Sequence, residues 1–388
     1  MSGPANTGAA AEELAAWLRL TLTPGIGNAT QRALLKTFGL PEAIFAASPR
    51  ALIAAVGEAA ADALRRHDPQ AEIEAALAWA AQPGQRLLTL ADPDYPQSLF
   101  AVADPPPLLY VRGRSEFLAR PMLAIVGSRN ATAQGERDAE AFAKALGEAG
   151  LTAVSGLALG IDAAAHRGGL ATAAGTVAVI GTGADRLYPA RNEALARAIV
   201  DNGAIVSEFP LGTPALAANF PRRNRLIAAL GLGCLVVEAA PRSGSLITAR
   251  LAAEAGREVF AMPGSIHSPL SRGCHQLIRQ GAKLVESAQD ILEELRWTSA
   301  PAVAPAAAVA ATAADANEKV GDGETAADAA EASRQAQILA LLGHAPCDLD
   351  TLAARSGLTP AHLLAILLPM ELAGNVARLP GGFYQRLD

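Results

Sequence analysis

The feature that most constrains the fold is a series of short apolar runs that do not alternate with polar residues. They are Leu123-Ala124-Ile125-Val126, Leu151-Thr152-Ala153-Val154, Val177-Ala178-Val179-Ile180, Ala204-Ile205-Val206, Cys234-Leu235-Val236-Val237 and Glu258-Val259-Phe260-Ala261. A strand with one wet face alternates apolar and polar side chains, so runs of this kind imply strands buried on both faces. Helix-forming stretches separate them, and a helical crossover between consecutive strands makes those strands parallel. The sequence therefore predicts an α/β fold, an extended Rossmann-like, doubly wound parallel sheet.

Each run ends in a turn of small residues: Gly127-Ser128-Arg129-Asn130, Ser155-Gly156-Leu157-Ala158, Gly181-Thr182-Gly183, Ser207-Glu208-Phe209-Pro210, Ser243-Gly244-Ser245 beyond Glu238, and Pro263-Gly264-Ser265. In a parallel sheet all carboxyl ends of strands share one edge, and ligands bind there at the switch in strand order. Glycine permits close backbone approach, serine adds a hydroxyl, and the following helix N-termini offer unpaired N–H groups. Such an edge suits phosphate, whether from a nucleotide or from a nucleic-acid backbone.

The rest of the 388-residue chain flanks this domain, placed at 83–297. Helical apolar spacing through Trp17, Leu18, Leu20, Leu34, Leu35, Phe38, Ile73 and Leu77 predicts a small N-terminal helical domain at 1–82. Within it, Thr23-Pro24-Gly25-Ile26-Gly27-Asn28 has the makeup of a helix-hairpin-helix turn, which serves either a phosphate or a tight inter-helix connection. Residues 298–333 are mostly Ala, Pro and small polar residues, a composition expected of a flexible linker. At 334–388 the order of three helices and a hairpin predicts a winged-helix-like domain. Its third helix, Pro360 to Leu372, has no Lys or Arg, so this module is expected to meet protein instead of a major groove.

A formal net charge of -6 argues against indiscriminate coating of duplex DNA, but partners respond to the local field. Asn219-Phe220-Pro221-Arg222-Arg223-Asn224-Arg225 places three guanidinium groups within four residues, and between Pro214 and Lys283 cations outnumber carboxylates. Three widely spaced cysteines, Cys234, Cys274 and Cys347, indicate no disulfide framework and no zinc site, as in a reducing compartment. With no signal-like N-terminus and no long apolar segment, the expected location is cytoplasmic, without a membrane partner.

Dinucleotide and ATP cofactors are not expected. Gly181-Thr182-Gly183 lacks the third glycine of the nicotinamide fingerprint, and no phosphate loop ending in Gly-Lys-Ser/Thr occurs. His267 and His275 lack ligand-spaced companions, so no metal is expected. Asp162 and His166, four apart on a helix, suit either acid–base work or an N-terminal Asp that orients the histidine. Glu238 suits either the acid of a nucleotide hydrolase or the cap of a neighbouring turn. Guanidinium forks pair with phosphate oxygens, and Arg129 and Arg191 follow strand ends on the same edge as Arg222, Arg223 and Arg225. A row of cations longer than one nucleotide points to a polymer. Phe209, Phe220 and Tyr188 are the aromatic residues available for stacking, too few for strong sequence preference.

Taken in order, Ile125-Val126-Gly127-Ser128-Arg129, Ser155-Gly156-Leu157-Ala158-Leu159-Gly160-Ile161-Asp162, Tyr188-Pro189-Ala190-Arg191-Asn192, Asn219 to Arg225, and Ser243-Gly244-Ser245-Leu246-Ile247-Thr248-Ala249 resemble the motifs of the DNA-processing protein A (DprA/Smf) family over about Leu87 to Arg296. The resemblance implies a non-enzymatic protein that binds single-stranded DNA without sequence preference, forms a homodimer and helps to load the RecA recombinase in natural transformation. It carries DNA contact onto Ser128, Arg129, Gly156, Arg222, Arg223, Asn224, Arg225, Gly244 and Ser245, to which the reading of the edge adds Arg191, Asn219 and Phe220. Cys274-His275 departs from the family pattern, which usually has Asn at the second position. A nucleotide or phosphoribosyl hydrolase of related architecture is the alternative, although the Pro-Gly-Gly-x-Gly-Thr turn of such enzymes is missing here.

Overall fold

The computed structural model describes residues 6–298, 326–342 and 346–387. They divide into two compact units, one carried by residues up to Trp297 apart from 131–137, the other by that short segment and the residues after 297.

The first unit is built on nine strands: β1 (Gln85–Thr89), β2 (Leu108–Gly113), β3 (Met122–Val126), β4 (Thr152–Ser155), β5 (Thr176–Val179), β6 (Gly203–Ser207), β7 (Gly231–Val236), β8 (Glu258–Ala261) and β9 (Lys283–Leu284). They form one sheet in the order β1-β2-β6-β5-β4-β3-β7-β8-β9. From β6 to β9 all neighbours are parallel, whereas β2 runs antiparallel to β6, and β1 antiparallel to β2. The six non-alternating runs supply six of the seven parallel strands.

Helices cover both faces, which is why those runs carry no polar alternation. Helices α1 (Asn6–Leu22), α2 (Asn28–Phe38), α3 (Pro41–Ala46), α4 (Pro49–Val56), α5 (Glu58–Arg66) and α6 (Gln70–Ala80) precede the sheet. Helices α7 (Ala133–Glu148), α8 (Ile161–Leu170), α9 (Glu193–Asp201), α10 (Asn219–Leu230), α11 (Gly244–Glu254), α12 (Arg272–Arg279) and α13 (Ala288–Glu294) are interleaved with it. Val177, Val179 and Val206 pack with Leu226 and Ile227 of α10 and Ala249 and Ala252 of α11. The residues between them, Ala178 and Ile205, point the other way and meet Ala196 and Ile199 of α9.

Strand order reverses at β3. The chain steps outward through β4, β5 and β6, then α10 carries it back across the sheet to β7 on the opposite side of β3. The loops after β3 and β7 therefore diverge and leave a crevice.

The N-terminal helices are not a separate body. Trp17 and Leu18 of α1 and Ile73, Ala76 and Trp79 of α6 share a core with Leu87, Leu108 and Tyr110 of β1 and β2. A second cluster around Leu20, Leu34, Ile44, Leu52 and Leu64 holds α2 to α5.

Of the stretch expected as a linker, 299–325 lies outside the described residues. Its last eight residues, 326–333, instead open helix α14 (Ala326–Leu342), as their alanine content favours. With β10 (Cys347–Asp348), α15 (Leu349–Ser356), α16 (Pro360–Leu372), β11 (Val376–Leu379) and β12 (Phe383–Arg386), it makes a winged helix. Asp348 caps α15, Gly357 ends it at φ +69°, and Thr359 with Pro360 starts α16. Ile338, Leu352, Leu363, Leu367 and Val376 form its core.

All three cysteines are free and buried. Burial pushes the Cys234 and Cys274 thiols up to about 12. Among the described residues no single helix is long and apolar enough to cross a membrane.

Candidate nucleic-acid interface

A cleft of about 650 Å³ occupies the crevice between the β3 and β7 loops. Ser128, Arg129 and Asn130 line it after β3, Ala158 and Asp162 after β4, Phe220, Arg223 and Asn224 on α10, and Arg242 to Ser245 after β7.

The loop after β4 is held by side chains from α8 and from the turn before α9. Asp162 Oδ2 accepts from the N–H groups of Gly156 and Ala158 at 3.2 and 3.4 Å. His166 Nε2 accepts from Leu157 N–H at 3.3 Å, while Asn192 Nδ2 donates to the carbonyls of Leu157 and Ala158 at 2.9 and 3.1 Å. These bonds fix Leu157 at φ +58°, a backbone conformation that a leucine rarely adopts. Gly160, at φ +72°, lets the β3 loop rest on this one, since a Cβ there would stand 2.4 Å from Ser128 O.

Asp162 stands in the first turn of α8, as expected of an N-terminal Asp, but its expected relation to His166 is corrected. The two side chains neither form an acid–base pair nor orient each other, because each spends its acceptor on a loop amide. Thr176 Oγ1 donates to Ala153 O at 2.8 Å, so it accepts the Nδ1–H of His166 at 2.7 Å and leaves Nε2 as the acceptor. The ring is neutral. Burial, reinforced by the charge of Arg223, pushes its pKa down to about 3. An unfolded chain takes up this proton near the ordinary pKa of about 6.5, the folded one only near 3. The unfolded state thus binds more protons across that window, so stability should fall as pH drops through it, by up to about 1.4 kcal/mol per pH unit. Urea midpoints of wild type and His166→Gln, compared between about pH 7 and pH 5, should show a component of the slope that the variant lacks.

The three arginines of α10 do not form one exposed row. Successive helix positions are turned by about 100°, so Arg223 leaves in a different direction from Arg222 and Arg225, which lie three apart on one face. Arg223 is 3% exposed and forms part of the cleft lining. Its Nη1 donates to Val179 O, and its guanidinium crosses Gly156, where a Cβ would stand 2.0 Å from Nη1. Its Nε is buried without a partner. Burial brings its pKa down to about 10, against the pull of Asp162, so it stays charged at neutral pH. Burial likewise pushes the Asp162 carboxyl up, and Arg223 and the loop amides draw it back.

Arg225 is buried away from the cleft. It pairs with Glu208 at 2.5 Å and with Asp104 at 3.3 Å. Glu208, itself almost wholly buried, also takes Arg222 at 3.3 Å and Asn28 Nδ2 at 3.2 Å. The Thr23 to Asn28 turn is thus used to seat α2 on the sheet. Arg222 keeps its side chain 47% exposed and lies over the Phe209 ring, with Cζ 5.3 Å from the centroid.

At the mouth of the cleft, Arg129 Cζ stands 5.4 Å from the centroid of Phe220. Phe220 in turn meets Tyr188 at 5.7 Å with a 47° tilt, and Tyr188 is half exposed. Asn219 Nδ2 donates to Gly181 O, and Asn224 Nδ2 to Gly244 O, tying α10 to two neighbouring turns. Ser128 Oγ accepts from Asn130 N–H, and Ser245 Oγ lies 2.6 Å from Ser243 Oγ. A Cβ on Gly244 would meet open space. Arg191 is exposed on the turn at Ala190–Asn192 and, like Glu238, is not among the cleft-lining residues. Glu238 is half-buried and has interactions of its own. Reading the sequence missed Arg242, which the bend after β7 brings to the cleft, and Asn192, a buried amide beside exposed Arg191.

Residues 86–296 match the family model described as DNA recombination-mediator protein A, more than half of the chain. The chain belongs to the DNA recombination-mediator protein A family. Residues 323–382 match the DprA winged helix domain, in accord with the second unit. The chain is 42% identical to Protein Smf of Escherichia coli over 81% of each, and 47% identical to DNA processing protein DprA of Streptococcus pneumoniae over 54% of this chain and 74% of that one. Among solved structures, the Streptococcus pneumoniae DprA superposes with a TM-score of 0.64 at 37% identity, covering 71% of this chain and 96% of its own. DNA processing protein A of Helicobacter pylori, whose structure concerns its single-stranded DNA binding mode, gives 0.50 at 30% identity over 54% and 95%. The family match coincides with the sheet domain that builds the cleft.

Proposed function

We propose that the cleft binds single-stranded DNA without sequence preference, and that the protein acts as a cytoplasmic homodimer that loads RecA recombinase onto that strand in recombination and natural transformation. The observation that carries this reading is the vertical arrangement of the cleft. A buried guanidinium with an unpartnered Nε lines it, and the Arg129–Phe220–Tyr188 stack stands at its mouth. Phosphate is drawn to the first, and any base has a face for the second. The Helicobacter pylori relative supports the same ligand. Support for self-association comes from the sheet edge at β9, where Leu284 is 43% exposed on a strand that pairs with β8 on one side alone.

A nucleotide or phosphoribosyl hydrolase working through Glu238 draws no support from this geometry. The carboxylate at the cleft is Asp162, and it is bonded to loop amides.

The test is binding of the full chain to labelled oligo-dT and to a mixed-sequence strand over a range of salt. Similar affinities for both, with log K falling by about 0.7 per decade of salt for each phosphate held, are expected. Binding flat in salt, or confined to one base, overturns the DNA reading. Failure to speed RecA assembly on the same strand overturns the loading role alone.

A further inference from the structure

We propose a second subsite for the same strand, a groove between α11 and α12 that holds the phosphodiester backbone of nucleotides leaving the cleft. The inference rests on the single-strand reading above. The groove encloses about 730 Å³ and adjoins the cleft directly, since Arg242 and Ser243 line both. A polymer lying in one therefore has a continuous path into the other.

The charges of the groove ask for an anion. The guanidinium groups of Arg242 and Arg257 make no hydrogen bond or ion pair among the described residues, and Arg257 Nε is buried without a partner. Arg250 is held only by Glu254 at 3.4 Å, an exposed pair four positions apart that a phosphate displaces at little cost. Against these three cations the lining offers one carboxylate, Glu258. Between them the floor is apolar, with Leu246 and Leu277. Guanidinium forks beside an apolar floor match the alternation of phosphate and base along a single strand. A neutral or cationic ligand would leave the arginines uncompensated.

The experiment compares full-length wild type, Arg250→Ala/Arg257→Ala and Ala253→Glu on labelled oligo-dT of two lengths. One, about 6 nucleotides, fits the cleft alone, and the other, about 20, reaches the groove. Ala253 is exposed and lines the groove, so Ala253→Glu adds a repelling charge without removing a packed side chain. Both variants should bind the short strand as wild type does and the long one about tenfold more weakly. For the double variant the salt slope on the long strand should flatten by about 1.4, two phosphates at 0.7 each. Unchanged affinity for the long strand, or equal loss on both lengths, overturns the subsite. If both lengths bind normally but RecA assembly is lost, the groove is a protein site and the proposal falls. Wild type binding neither length would instead bring down the cleft reading itself.

Discussion

Asp162→Ala should lower the unfolding free energy by about 3–5 kcal/mol, because it removes a buried carboxylate that holds two loop amides and favours the charge of Arg223. Asp162 is 8% exposed, and its carboxylate favours the buried charge of Arg223 through space, without a direct ion pair. Its loss also strands the N–H groups of Gly156 and Ala158, each worth about 1–3 kcal/mol when buried and unpaired. Asp162→Asn keeps an acceptor but not the charge, so it should fall between. Adding Arg223→Met to Asp162→Asn should recover part of the loss, because no buried cation then remains. Urea unfolding of the four proteins checks this. A loss below about 1 kcal/mol for Asp162→Ala would show that the charge of Arg223 is compensated elsewhere.

Arg129→Ala/Arg222→Ala should weaken oligo-dT binding by roughly tenfold at physiological salt and flatten the salt slope by about 1.4, while leaving the urea midpoint nearly unchanged. These two arginines stack on Phe220 and Phe209, and Arg222 shares a Glu208 already held by Arg225 and Asn28. Removing them strips cation from the surface without leaving a buried group unpaired. Arg225→Ala should do the reverse: it takes a counter-charge from the nearly buried Glu208 and from the partly exposed Asp104 and should act through stability, with little change in the salt slope of the folded protein. The contrast between the two variants separates contact from support. Equal slopes for wild type and Arg129→Ala/Arg222→Ala would remove both residues from the interface.

Much of this was legible because burial on both faces leaves a plain mark. Six non-alternating runs gave six parallel strands, and their Gly/Ser turns gave the edge on which the cleft lies. What escaped has identifiable causes. Arg222, Arg223 and Arg225 are adjacent on paper, but helical phase sends Arg223 to the cleft and turns Arg222 and Arg225 together toward Glu208. Glu208 and Asp162 follow strand ends and could be placed near the arginines, but Asp104, the other partner of Arg225, lies far away in the chain. His166 and Asp162 are correctly spaced for a shared task, yet sequence carries no sign that their acceptors face Leu157 and Gly156. The antiparallel edge was hidden too. Gln85–Thr89 is short, and β2 follows a proline-rich segment, so neither showed that Tyr110 would pair with Ser207.

The placement of the cleft at the reversal of strand order has a consequence for how the protein is born. Its walls come from residues near 128, 158, 162, 220 and 244, joined only when β7 has inserted between β3 and β8. A nascent chain emerging from its N-terminus acquires the helices, β1 to β6 and all their turns before Ser245 exists, and through that period has no assembled cleft. The assembled cleft is thus a late product of synthesis, complete only when the second half of the sheet has been added to the first.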